Sequence, residues 1–262
     1  MKRSAGWLMV AALVVPQQAL AQIQPHRAEY SLRLGIAANA PRVGMATQDI
    51  SVDCAGWRIK REITTELALT PTLKFSLASR LGGEEARSGD EFRYRTVQIL
   101  NGAERETKGE VRRFDGETRV EIVTSDGSER LVLPLRTLMP IAAVGRAVDR
   151  LGAGVASFPL LMFGAEATGA AFQLDVKMLE GDALPAVPPA LKPVPVPPGR
   201  SWPVLITVTG LGQQAPKPLL SVRARIFSSG VLERLVVDAG PVVVAAYLQS
   251  LEMHPVPACV AP

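Results

Sequence analysis

The sequence predicts an all-β protein, a long antiparallel sheet carrying one amphipathic helix. Asn101-Gly102, Asp115-Gly116 and Asp126-Gly127 are hairpin dipeptides that tolerate positive φ, and they recur at intervals of 14 and 11 residues. That spacing is a meander. Between the last two, residues 117–122 (ETRVEI) alternate so that Val120 and Ile122 share a buried face while Arg119 and Glu121 face water. The only stretch with helical spacing lies at residues 139–152.

From the N-terminus, Lys2 and Arg3 precede an eleven-residue apolar run at 5–15, and Ala19-Leu20-Ala21 supplies small residues before Gln22. This predicts a cleaved secretory signal over residues 1–21, since a spanning helix needs about 20 apolar residues. The expected mature protein, residues 22–262, forms one β domain exported to a Gram-negative periplasm. The residue directly after the cleavage point is Gln22 rather than cysteine, so no lipid anchor is expected. Loss of Lys2 and Arg3 lowers the formal net charge from +4 to +2. The precursor pI of 9.3 therefore gives little support to a nucleic-acid partner, which needs clustered basic charge.

The first internal feature is Cys54, whose one potential mate is Cys259. In an exported chain a structural disulfide is the leading reading, with free or catalytic thiols as the alternative. A zinc site would want about four Cys or His ligands, and only Cys54, Cys259, His26 and His254 exist. Hence no metal is expected. A bridge would bring the region of residue 54 and the C-terminus within about 7 Å at Cα.

Residues 84–130 hold 21 charged side chains, nine basic and twelve acidic. A solvated sheet face explains them. Glu84-Glu85 and Asp90-Glu91 are poor catalytic pairs, because adjacent strand residues point to opposite faces.

In the helical stretch Pro140 suits the first turn, Ile141, Val144, Val148 and Leu151 form one apolar stripe, and Gly152 is the expected stop. Its expected role is to cover a sheet face or fill the mouth of a curved sheet. A membrane-surface helix would want more basic residues than Arg146 and Arg150. Seven of the fourteen residues at 185–198 are proline, which predicts a loop or stiff connector. Strands are expected again at 202–209, 222–227, 231–238 and 242–253, with turns at Ser229-Gly230 and Ala239-Gly240.

Gly210, Gly212 and Ala215 match a G-x-G-x-x-A dinucleotide fingerprint after a strand. That motif works at a helix N-terminus, whereas Pro216 and Pro218 obstruct a helix here. It reads as a glycine turn. Neither His26 nor His254 has a nominated serine partner, and no nucleophile elbow or phosphate loop occurs. No enzymatic activity and no cofactor are expected.

Several stretches together resemble a known family. They are His26-Arg27-Ala28-Glu29-Tyr30-Ser31-Leu32, Gly44-Met45, Asp53-Cys54-Ala55-Gly56-Trp57, Ser201-Trp202-Pro203-Val204 and Leu248-Gln249-Ser250-Leu251-Glu252 with Pro255, Pro257 and Cys259. The chain resembles the EipB (envelope integrity protein B) family of alphaproteobacterial periplasmic proteins. The resemblance implies an antiparallel sheet curled into a spiral or incomplete barrel, closed by a disulfide between Cys54 and Cys259. It also implies a role in cell-envelope integrity. Where the family carries Phe-Pro-Thr-x-His, this chain has Met139-Pro140-Ile141-Ala142-Ala143, so no role of that threonine or histidine transfers.

Two functions follow as expectations. One is a non-catalytic periplasmic factor for envelope integrity that acts through a protein partner. The other is a carrier or sensor holding a lipid or other apolar envelope component inside the curled sheet. A carrier needs an apolar, ligand-sized cavity; a partner-binding factor can fill its interior and use an outer face. A membrane-spanning chain is not expected, because the helix and the proline run interrupt a barrel's strand series.

Overall fold

A computed structural model describes residues 23–68, 70, 74–114, 116–166, 170–211 and 218–259. The expected signal, the cleavage junction at Gln22 and part of the glycine motif (Gly212, Ala215 and Pro216) lie outside the described residues.

The first eight strands form one meander. They are β1 (His26–Leu34), β2 (Arg42–Val52), β3 (Gly56–Ala68), β4 (Lys74–Ala86), β5 (Glu91–Leu100), β6 (Ala103–Phe114), β7 (Glu117–Thr124) and β8 (Gly127–Leu133). A two-residue strand, β9 (Thr137–Leu138), leads into α1 (Pro140–Gly152). A second meander follows: β10 (Ser157–Gly164), β11 (Ala170–Met178), β12 (Ser201–Gly210), β13 (Pro218–Phe227), β14 (Leu232–Asp238) and β15 (Val243–Met253).

The meanders join through their outermost strands in sequence. β1 pairs antiparallel with β15, from His26 opposite Met253 to Leu34 opposite Val244. One 15-stranded sheet results, running from β8 through β1 and β15 to β9. Laid flat, its edges would stand about 67 Å apart at about 4.8 Å per strand. Yet the link between the edge strands, Leu133 to Thr137, can reach only about 14 Å. The sheet must therefore curl nearly to closure. This is the incomplete barrel that the family resemblance implies.

The concave side holds the main core. Ile59, Phe92, Val111 and Val120 from the first meander meet Val176, Trp202, Val204 and Ile226 from the second, with Met139, Val148 and Leu151 of the helical segment among them. The burial alternation along β7 places Val120 and Ile122 inside and Arg119 and Glu121 outside, as the sequence predicts. The outer face of this half is laced with exposed ion pairs such as Arg95–Glu106 and Arg93–Glu110, each a minor contributor to stability.

The turns follow from residue chemistry. Asn101 and Gly102 have φ of 50° and 86°, the doubly left-handed geometry that an Asn-Gly hairpin accommodates. The third hairpin differs by one residue from its dipeptide. Ser125 and Asp126 make the turn, the Asp126 N–H donates to Thr124 Oγ1 at 3.2 Å, and Gly127 already opens β8 opposite Thr124.

Pro140 occupies the first turn of α1, and Ile141, Val148 and Leu151 are buried. The helix ends at Gly152, the expected stop, and Gly154, with φ of 78°, turns the chain away. Residues 185–198 contain neither helix nor strand. Within this segment Leu191 packs on the cluster of Val236, Ala245 and Tyr247, and Val194 on that of Tyr30 and Leu248. The proline run is thus a strap across the sheet. Arg234 secures its approach, donating to the Pro185 carbonyl at 3.1 Å and pairing with Asp182.

Candidate functional site

The two cysteines meet as a disulfide with a Cα separation of 5.5 Å. Cys54 lies in the β2–β3 turn, where the Asp53 carboxylate accepts the Ala55 and Gly56 N–H groups at 2.9 and 3.0 Å. Those bonds hold the Asp53 carboxyl below its ordinary pKa. Arg87 donates to the Asp53 carbonyl and lies 3.6 Å from the Cys259 sulfur. From β15 the chain therefore passes the start of β1 and reaches the β2–β3 turn at Cys259. On the way, the His254 N–H bonds the Pro25 carbonyl, and its Nε2 lies 3.0 Å from Asp49 Oδ1.

His26 is buried opposite Met253 and Ile50, with Nδ1 2.8 Å from the Gln24 carbonyl. Desolvation lowers its pKa. Among the described residues, no serine hydroxyl is hydrogen-bonded to either imidazole. The acidic neighbours behave as strand geometry requires: Glu84 is exposed and Glu85 is buried. Gly210 ends β12 and Pro218 begins β13, which pairs antiparallel with β12. Gly210 of the motif therefore ends a strand whose successor pairs antiparallel with it, which is not the strand order of a βαβ unit.

Glu85 has a role that a search for catalytic pairs misses. Its carboxylate accepts the Ile141 N–H at 2.7 Å and the Ala142 N–H at 2.8 Å, satisfying two orphan donors at the start of α1. Met139 at the N-cap provides no side-chain bond. Burial pushes the Glu85 pKa up to about 7, opposed by those two backbone bonds.

Above this level, side chains cross the concavity. The Phe92 and Tyr94 rings of β5 stack at 5.6 Å, and Phe163 of β10 meets them at 6.1 and 5.4 Å. Further along, Glu166, in the turn after β10, takes Arg61 of β3 at 3.0 Å and Ser79 of β4 at 3.4 Å, while its carbonyl accepts from Gln98 of β5. Distant strands are thus tied through the interior.

A cleft of about 620 Å3 opens beside β9, between α1 and β10. Arg136, Arg146 and Arg150 line it together with Leu138, Leu161 and Leu211. The sequence displays Arg146 and Arg150 one helical turn apart, but only the fold brings Arg136 alongside. Among the described residues there is no group of three or more His, Cys, Asp or Glu side chains that could hold a metal. No helix among them is long and apolar enough to cross a membrane.

Comparison with known proteins agrees with this architecture. The EipB-like family profile matches residues 17–255, and the chain belongs to that family. The crystal structure of a β-barrel-like protein of domain of unknown function DUF1849 from Brucella abortus superposes with a TM-score of 0.75 at 18% identity. The match covers 89% of this chain and 99% of that one, and establishes a shared fold. No curated protein matches the sequence.

Proposed function

We propose that this EipB-like protein is a non-catalytic periplasmic factor that supports cell-envelope integrity by binding a protein partner at its outer surface. The carrying observation is the content of the concavity. Phe92, Tyr94 and Phe163 meet across it, and Glu166 bonds to the opposite strands through Arg61, Ser79 and Gln98. A carrier holding an apolar ligand inside the curled sheet would need that space open. Side chains that fill it favour an outer face as the working surface. The signal-like N-terminus and the disulfide support export to an oxidising compartment. Membership of the EipB-like family supports the envelope role.

The test is a clean deletion in the native organism, challenged with detergent and with cell-wall antibiotics, beside native mass spectrometry of the protein purified from its own periplasm. Sensitivity to both stresses, rescued by the intact gene, and no molecule held inside the concavity until the protein is denatured are the expected results. A nutrient requirement without envelope sensitivity would restore an enzymatic role. A stoichiometric apolar molecule released only on denaturation would restore the internal carrier.

A further inference from the structure

The cleft beside β9 joins two features that the fold alone does not require. Arg136, Arg146 and Arg150 are all exposed, and their guanidinium groups make no hydrogen bond or ion pair with any described residue. Elsewhere on the sheet many arginines are matched to carboxylates, as Arg93, Arg95, Arg112, Arg119 and Arg130 show. Arg150 lies in the last turn of α1, where it complements the helix dipole. That does not account for Arg146, a like charge one turn away that costs a few tenths of a kcal/mol, or for Arg136 on a separate segment. The floor is apolar, through Leu138, Leu161 and Leu211. Leu211 remains 39% exposed.

We infer that this cleft binds an acidic lipid, with the three guanidinium groups on its phosphate headgroup and the proximal acyl chain against the leucines. The volume lies in the range of small-molecule sites, and guanidinium forks match phosphate oxygens. An extended acidic peptide fits the same charge but not the same walls. Pro159 removes a donor from the β10 edge, and β9 already occupies that edge at Leu161 and Met162. Strand addition there would find few backbone groups to pair with. This site lies outside the filled concavity, so the inference does not rest on the partner reading.

The test uses the mature protein, residues 22–262, titrated by calorimetry at low salt with monomeric dihexanoyl phosphatidylglycerol, dihexanoyl phosphatidylcholine and inorganic phosphate in separate experiments. Phosphatidylglycerol should bind saturably, weaken as salt is raised, and exceed the other two by tenfold or more. Arg136→Gln, Arg146→Gln and Arg150→Gln should each weaken it about fivefold, near the contribution of one basic residue at an anionic lipid surface. The triple variant should abolish binding with a melting curve close to that of the wild type, since no guanidinium group of the three has a carboxylate partner to lose and the dipole contribution of Arg150 is offset by relief of its repulsion with Arg146. Arg105→Gln, an exposed arginine on β6, serves as the control and should bind normally. Equal binding of phosphatidylcholine, phosphate binding as tightly as the lipid, undiminished binding by the triple variant, or no binding of phosphatidylglycerol would each overturn the inference. None of these outcomes bears on the deletion phenotype, so the two readings fail separately.

Discussion

Glu85 and Ile141 are 56 residues apart in sequence, yet the Glu85 carboxylate accepts the Ile141 backbone N–H at 2.7 Å inside the core. With the second bond, from Ala142, it replaces the capping side chain that Met139 lacks. A sheet residue thereby fixes where the helix begins. The plug over the concave face is held at its N-terminus by one buried carboxyl group and along its length by Val148 and Leu151.

Replacing Glu85 with alanine should therefore loosen the helix before the sheet. At pH 6 the expected loss is about 2 kcal/mol, the cost of leaving buried backbone donors unsatisfied. Urea unfolding would measure it. Amide hydrogen exchange should show the loss of protection concentrated in residues 140–152. Unchanged exchange there would mean that packing alone seats the helix.

The same carboxyl group makes stability depend on pH. Its folded pKa is about 7, raised from 4.5 mainly by burial, so the folded state binds the proton more tightly than the unfolded chain. The resulting stability is fully present below about pH 4.5 and is lost as pH rises through 7. A shift of this size corresponds to about 3 kcal/mol. Unfolding free energies of the wild type should fall from pH 5 to 8 relative to Glu85→Gln, which has no proton to lose. Parallel curves would place the Glu85 pKa near its ordinary value.

What the sequence revealed and what it concealed divide along physical lines. Hairpin dipeptides and the alternation in residues 117–122 report local backbone geometry and one-sided burial, so the meander was legible. The helix was legible for the same reason, down to its last residue at Gly152. The position of Glu85 also had a local signal: Leu81, Gly83 and Glu85 share one strand parity, and Leu81 marks it as the inner face. The missing cap residue at Met139 was the complementary clue. By contrast, the Arg61–Glu166 bond and the meeting of Arg136 with Arg146 depend on how tightly the sheet curls. No short-range pattern records that curvature.

Two glycines that look equivalent in sequence should respond differently to alanine. A Cβ on Gly109 would lie 2.4 Å from the Tyr94 ring, so Tyr94 covers the gap that this glycine leaves. Gly109→Ala should cost about 1–3 kcal/mol through overpacking. At Gly82, on the outer face of β4, an added Cβ meets nothing within 4 Å. Gly82→Ala should be neutral or stabilising by up to about 1 kcal/mol. Thermal melts of the two variants would decide, and equal effects would contradict the ring-over-glycine packing.

The disulfide between Cys54 and Cys259 should act on stability rather than on a reaction. It closes a sequence separation of 205 residues, for which the chain-entropy relation gives roughly 5 kcal/mol and usual experience about 2–4. In the folded protein the bridge adds little new topology, because β15 already pairs with β1, and β1 with β2. Its effect therefore falls mainly on the unfolded chain. Cys54→Ser and Cys259→Ser should each fold to the same sheet with a lower melting temperature, and the double variant should match either single one, since one missing partner opens the bridge. Reductant should lower the wild-type melt toward the variants and leave theirs unchanged. Envelope protection in cells should decline only as far as folded protein declines. A serine variant as stable as the wild type but unable to protect the envelope would show instead that a thiol at this turn carries chemistry.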